Sequence, residues 1–344
     1  MPRRTPSPAA VCRRGTAIAH PNIALIKYWG KRPGPGNLPA VPSLSLTLGG
    51  MRTVTQVTFD PASRADAASL NGCRLSGGPL AHVQRVLDLL RAAAGCDDGA
   101  LVTSDNDFPT AAGLASSASG FAALTVAAAR ALALDWQPTA LSAVARVGSG
   151  SAARSLFGGI VEMQVGVAAD GHDAVARPLC AAADWPLEVV VAICSDAVKP
   201  VSSSVGMERS RLSSPFYSAW VASAEADLEA ARAACLTRDF AGLAEVAEHS
   251  GMKMHGLALS SRPPLLYWLP ATVACIAVVA QLRQDGVPTF VTIDAGPQVK
   301  AICAPGAGAA VAAALSVVPG VLRTLQVPLG DGARATPSVS RAAS

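Results

Sequence analysis

The chain has 344 residues, a formal net charge of +4, and 51% apolar against 15% charged residues. At ~100–200 residues per domain this is two lobes or one large domain. The charge is too mild and too scattered for a nucleic-acid partner. Mean hydropathy is +0.36, yet Arg130 and several Pro and Gly residues interrupt every apolar stretch before the ~20 residues that a membrane span needs. The basic start (Arg3, Arg4, Arg13, Arg14) leads into no apolar core of a secretory signal. Eight cysteines without CxxC pairs and five histidines without metal spacing speak against zinc and for a reduced, cytoplasmic compartment.

In chain order, residues 1–14 are Arg- and Pro-rich and read as a loose end. A strand rich in Ile, Leu and Ala precedes Lys27, and residues 53–59 alternate as a second strand. Residues 79–94 carry Leu80, Val83, Leu87 and Leu90 on one helical side, and an Ala-rich helix is predicted over 118–134. A further helix covers 139–146, and 158–167 reads as a strand. Composition shifts near Pro186, where we place a lobe boundary; 187–194 is the apolar run of a strand buried on both faces. Helices follow at 218–235, 238–249 and 264–283, then a strand at 289–293 ending at Asp294. Pro297 suits the first turn of another helix, and 332–344 reads as a second loose end. Strands and helices mix without strict alternation in both halves, so the fold class is α+β.

The stretch DFPTAAGLASSASG (107–120) carries the most chemistry. Pro109 ends an extended segment, and Ala111, Ala112, Gly113 and Leu114 lead into Ser116, Ser117 and a helix. Free amides and the helix dipole at such a start favour phosphate, and small residues allow close approach. It lacks the Lys of a Walker loop. The plain alternative is a serine-capped, tightly packed helix.

Three more constellations bear charge. PNIALIKYWGKR (21–32) sets Lys27 within an apolar run, where a buried-facing lysine needs a counter-anion, and adds Tyr28, Lys31 and Arg32; a lysine that snorkels to the surface is the competing reading. GSGSAARSLFGG (148–159) offers Ser149, Ser151 and, three residues on, Arg154, whose fork suits carboxylate or phosphate. FVTIDAGP (290–297) holds Asp294 at a strand end, able to orient or deprotonate an alcohol; capping a helix at Pro297 is the competing reading. The loop after Lys199 adds Ser202 and Ser203. No HExxH, GxSxG or GxGxxG motif is present.

Together these four motifs, with NDFPTAAGLASS at 106–117, resemble those of the mevalonate diphosphate decarboxylase family of the GHMP kinase superfamily over residues 16–330. Leu38-Pro39, SLSLT (43–47), Leu70-Asn-Gly and VSSSVGM (201–207) add weaker support. The resemblance implies a two-lobed GHMP-kinase fold, with an N-terminal lobe (15–186) carrying the phosphate-loop helix and a ferredoxin-like C-terminal lobe (187–331). It implies that ATP phosphorylates the tertiary 3-hydroxyl of mevalonate 5-diphosphate, after which phosphate and carbon dioxide leave. Asp294, Arg154 and Lys27 would be catalytic. Asp294 would orient or deprotonate the hydroxyl and Arg154 would hold the carboxylate. Lys27, Tyr28, Lys31, Ser149 and Ser151 would bind the substrate's anionic groups. Pro109, Ala111, Ala112, Gly113, Leu114, Ser116, Ser117, Ser202 and Ser203 would cradle ATP, with Mg2+ at Ser117. A homodimer is expected.

The chain departs from the family at His20, at Val41-Pro42 and at Asp107. After Leu70-Asn-Gly, eukaryotic members carry an arginine for the terminal phosphates; counting along places Ala81 or His82 there, with Arg85 a turn later. Mevalonate 5-phosphate is therefore an alternative substrate, and a GHMP kinase that stops after phosphorylation is a second alternative.

Overall fold

The structure is a computed structural model and describes residues 12–108 and 116–337. The predicted nucleotide contacts Pro109, Ala111, Ala112, Gly113 and Leu114 lie outside the described residues.

The first half runs β1 (Arg13–Ala19), β2 (Asn22–Ile26), β3 (Ser43–Thr47), β4 (Thr53–Asp60), β5 (Ala67–Leu70), β6 (Cys73–Arg74), α1 (Gly77–Ala94), β7 (Gly99–Asn106), α2 (Ser116–Ala131) and α3 (Pro138–Gly148). A 3-10 helix (Gly150–Leu156), β8 (Ile160–Met163) and β9 (Ala176–Cys180) complete it. The second half runs β10 (Glu188–Ile193), α4 (Ser203–Ser213), α5 (Tyr217–Thr237), α6 (Phe240–Leu259), α7 (Pro270–Gln284), β11 (Thr289–Ile293), β12 (Val299–Cys303), α8 (Gly308–Ser316) and β13 (Arg323–Pro328). A last strand, β14 (Arg334–Thr336), returns to the first half.

Three sheets organise these elements, in the orders β14-β1-β4-β7-β5-β6, β2-β3-β8-β9 and β11-β12-β10-β13. In β4 every second residue is buried (Thr53, Thr55, Val57, Phe59), as its alternation requires. The Ala-rich α2 lies tightly on β1: a Cβ on Gly15 would strike the Ala127 carbonyl. In the second half, β10, the hairpin β11–β12 and β13, with helices between, follow the βαββαβ order of a ferredoxin-like lobe. A shared core joins the halves: Ile23, Leu25, Leu44 and Leu46 pack with Leu228, Ala247 and Phe290.

Several sequence expectations give way. No helix follows Pro297; β11 turns back as β12, with Thr292 opposite Lys300. Residues 299–303 are all buried, paired between β10 and β11, so the segment completes the sheet rather than starting a helix. Helix α6 runs ten residues past 249 to Leu259 because Met254, Leu257 and Ala258 continue its buried face. Residues 264–269 are not helical; α7 begins with Pro270 at its first turn. The strand expected over 158–167 shortens to Ile160–Met163. Both loose ends are partly paired: Arg13 and Arg14 begin β1, and β14 pairs with β1 through Thr16↔Thr336. Backbone pairing in a sheet does not need apolar periodicity, which is why the pattern missed it.

Candidate functional site

The halves meet in a cavity of about 360 Å3 lined by Lys27, Tyr28, Lys31, Ser117, Ser149, Ser151, Arg154, Ser202, Ser203 and Asp294, among others. These are ten of the site residues expected from sequence, drawn from five separate segments. Ser116 lines a second cavity of about 590 Å3, mostly apolar, which shares Ser117, His82, Phe121 and Ser202 with the first.

Lys27 directly follows β2, and its backbone N–H donates to Ser250 Oγ of α6 at 3.1 Å. Its buried ammonium donates to Asp294 Oδ1 (2.8 Å), Thr292 Oγ1 (2.6 Å) and the Ala24 carbonyl (2.9 Å). Three N–H groups thus meet three protein oxygens, and the counter-anion implied by the sequence is Asp294. Burial pushes the Lys27 pKa down, and the Asp294 charge opposes that shift.

Asp294 sits in the β11–β12 turn with its side chain 32% exposed to the cavity. It caps no helix, so that competing reading falls. Burial alone would raise its carboxyl; the charges of Lys27, Lys300 and Arg154 outweigh this and hold it below the ordinary value. Lys300, the cross-strand partner of Thr292, is buried and pushed down to about 8, chiefly by desolvation. Sequence reasoning overlooked it, although a lysine inside Val299–Cys303 gives the same signal that marked Lys27.

Ser151 and Arg154 share the 3-10 helix, where positions three apart eclipse. Arg154 is buried; Nη1 donates to Ser43 Oγ at 2.7 Å and Nη2 to Asn22 Oδ1 at 3.3 Å. Asn22 is held in turn by the Ser151 carbonyl (2.9 Å) and Ser155 Oγ (2.8 Å). Among the described residues no carboxylate lies within ion-pair distance of Arg154, and its buried Nε has no partner. Desolvation pulls the guanidinium down to about 10. The arrangement is a buried fork whose protein partners among the described residues are neutral.

Gly150 makes room for Tyr28: a Cβ there would overlap the phenol. Tyr28 donates to the Asn37 carbonyl at 3.0 Å, and Lys31 Nζ donates to Asn37 Oδ1 (2.7 Å) and Ser204 Oγ (2.8 Å). Ser149 Oγ lies between Ser117 Oγ (3.3 Å) and Ser151 Oγ (3.4 Å), so the phosphate-loop helix and the 3-10 helix meet hydroxyl to hydroxyl.

Across the cleft, Ser202 caps α4 and Ser203 accepts from Lys199 at 2.8 Å. Helix α4 is pressed close by Trp29, whose Nε1 donates to Ser210 Oγ at 3.0 Å; a Cβ on Gly206 would crowd the indole. Arg85 turns back to the Ala81 carbonyl of its own helix (3.3 Å), whereas His82 lines both cavities.

The arrangement combines a ferredoxin-like lobe, a serine-led helix start and a cation-lined cleft holding one carboxylate, and so defines a GHMP-kinase-type enzyme. Comparison with known proteins narrows this. Residues 19–176 match the family model of the diphosphomevalonate decarboxylase-like N-terminal domain, and 189–318 that of the mevalonate 5-diphosphate decarboxylase C-terminal domain. The diphosphomevalonate decarboxylase of Ganoderma lucidum is 37% identical over 306 residues, covering 83% of this chain and 76% of the relative. That of Saccharomyces cerevisiae is 37% identical over 293 residues, covering 80% and 74%.

Among solved structures, mevalonate diphosphate decarboxylase from Staphylococcus aureus superposes with a TM-score of 0.89 at 36% identity over 95% of this chain and 99% of that one. MDDEF in complex with MVAPP, AMPPCP and magnesium superposes with a TM-score of 0.88 at 39% identity, over 95% and 100%. The chain belongs to the diphosphomevalonate decarboxylase family.

Proposed function

We propose that this protein uses ATP to decarboxylate mevalonate 5-diphosphate, giving isopentenyl diphosphate, ADP, phosphate and carbon dioxide. One observation carries the reading: within a single cavity, a carboxylate braced by a buried lysine accompanies a buried guanidinium that makes no ion pair among the described residues. The first arrangement suits an alcohol and the second a substrate carboxylate.

Asp294 orients the tertiary hydroxyl and takes its proton as the phosphoryl group arrives. Its low basicity suits a late proton transfer and makes positioning its larger contribution. Lys27 has its three donors committed to the protein, so it fixes Asp294 rather than gripping substrate. Arg154 holds the substrate carboxylate across its fork. Tyr28, Lys31, Ser149 and Ser151 face the remaining anionic groups. Phosphorylation makes the tertiary oxygen a good leaving group. As the C3–O bond breaks, the C1–C2 bond releases carbon dioxide and its electron pair becomes the C2–C3 double bond.

ATP enters from the helix start, with Pro109, Ala111, Ala112, Gly113, Leu114, Ser116 and Ser117 along its phosphates and the neighbouring apolar cavity around its base. Ser202 and Ser203 approach from α4. The donor set fits magnesium, which keeps most of its oxygen ligands from phosphate and water: Ser117 opens onto both cavities, and no cluster of three acidic, His or Cys ligands occurs among the described residues. Ser117 would hold the ion, which when bound neutralises phosphate charge.

Mevalonate 5-phosphate is the second reading, favoured by the turn of Arg85 away from the cavity. A cytoplasmic location, with a lobe boundary near residue 186 and a homodimeric assembly, belongs to the same proposal. The free cysteines support the reduced compartment. Light scattering tests the dimer.

Purified protein with ATP and magnesium, offered mevalonate and its 5-phosphate and 5-diphosphate in parallel, tests the activity. One carbon dioxide per ADP from the diphosphate is expected. ADP without carbon dioxide identifies a kinase, and release from the monophosphate alone selects the second reading.

A further inference from the structure

The turn PGPGN (33–37) has no chemistry of its own to read in the sequence, yet it ends in a side chain that makes three hydrogen bonds at the cleft rim. Asn37 has a φ of 53°, in the left-handed region that asparagine tolerates better than most residues. Its Nδ2 donates to the carbonyls of Arg146 (3.0 Å) and Val147 (2.8 Å), at the end of α3. Its Oδ1 accepts from Lys31 Nζ at 2.7 Å, and its main-chain oxygen accepts from Tyr28 at 3.0 Å. The buried Arg146 guanidinium secures the same turn by donating to the Gly36 carbonyl, while its other nitrogens reach the Gly171 (2.8 Å) and Ala174 (3.1 Å) carbonyls. Asn37 also lines the cavity.

The amide therefore works in both directions. Its nitrogen needs acceptors, and the helix end supplies two carbonyls. Its oxygen then faces Lys31, leaving that ammonium one N–H without a partner among the described residues after Asn37 and Ser204 have each taken one. Only an amide can donate to the helix end and accept from the lysine at once. A carboxylate would turn lone pairs on two carbonyl oxygens and set a negative charge beside an anionic ligand. We propose that Asn37 is a positioning residue for the anionic end of the substrate, acting through Lys31 and Tyr28. It ties both to the end of α3, so that the free N–H of Lys31 and the phenol oxygen are aimed before substrate arrives.

The inference rests on reading Lys31 and Tyr28 as substrate contacts, and the experiment separates the two claims. Asn37→Gly keeps the backbone conformation and the carbonyl that Tyr28 uses, while deleting the amide. It should raise KM for the phosphorylated mevalonate substrate about tenfold, leaving kcat and KM for ATP within about twofold. In a Lys31→Ala background the same change should add less than about twofold, because the amide acts through the lysine. Asn37→Asp, which preserves volume, should raise KM further than Asn37→Gly. Calorimetric titration with inorganic pyrophosphate gives a readout independent of turnover, with the same loss of about tenfold expected for Asn37→Gly.

An unchanged KM in Asn37→Gly, an effect additive with Lys31→Ala, or wild-type binding in Asn37→Asp overturns the proposal. If Lys31→Ala leaves KM unchanged while Asn37→Gly raises it, the proposed route through Lys31 is wrong and the decarboxylase reading stands. If no mevalonate compound is turned over but pyrophosphate binding still weakens in Asn37→Gly, the decarboxylase reading falls and the positioning role stands.

Discussion

Lys27 and Arg154 line the same cavity, are equally buried, and stand in opposite states. Lys27 spends its three donors on protein oxygens, one of them the Asp294 carboxylate. Arg154 has three neutral side-chain partners (Ser43, Asn22 and the Met163 sulfur), an unpartnered Nε and no carboxylate within ion-pair distance among the described residues. A buried cation whose charge is answered internally is part of the scaffold. One whose charge is unanswered has incurred the desolvation cost in advance and is stabilised when an anion arrives. On the proposed mechanism, the difference separates the residue that would prepare the base from the residue that would receive the substrate, a distinction invisible when both are simply cations in an active-site motif.

The largest effect should come from the shared carboxylate. Asp294→Ala should lower kcat by roughly 10³-fold or more while nucleotide binding persists. Steady-state rates alongside fluorescent-nucleotide titration check this, and an active variant would erase the distinction between the two cations. Arg154→Lys should cost on the order of 10²-fold in kcat/KM, since a point charge cannot span a carboxylate as the fork does. Near-normal turnover there would return Arg154 to a structural role.

Lys27→Met sharpens the comparison through pH. Without the adjoining ammonium, burial dominates at Asp294 and its pKa rises. The acid limb of kcat/KM should move upward. An unmoved limb would mean that Lys27 does not set the charge state of Asp294.

The smallest effect concerns stability beneath the same hairpin. His255 of α6 lies against the Ile293 carbonyl at 3.1 Å and is pushed down to about 4 by burial, with Lys27 and Lys300 adding to the shift and Asp294 opposing it. Between its ordinary value of 6.5 and about 4, the unfolded chain binds more protons at this position than the folded one. Stability contributed here is therefore complete above pH 6.5 and falls with acidification, by roughly 3 kcal/mol in total. Urea unfolding of His255→Gln at pH 7.5 and pH 5 should show a smaller acid loss than wild type.

The amino-acid sequence by itself determined the α+β class, the strands at β4, β10 and β11, the amphipathic α1 and the residue types of the site. Apolar periodicity and Gly/Ser-rich helix starts are local properties that neighbours along the chain suffice to express. It also showed that Lys27 needs an anion, because a lysine between Ile26 and Tyr28 cannot be buried alone. Which anion answered it, 267 residues away, was decided by the packing of β2 against the β11–β12 hairpin. The same packing turned the segment after Pro297 into a strand, placed Lys300 beside Thr292 and left Arg154 with no ion pair among the described residues. Charge balance in a buried cleft depends on which segments meet and how much water they exclude, and those are quantities that only the tertiary structure contains.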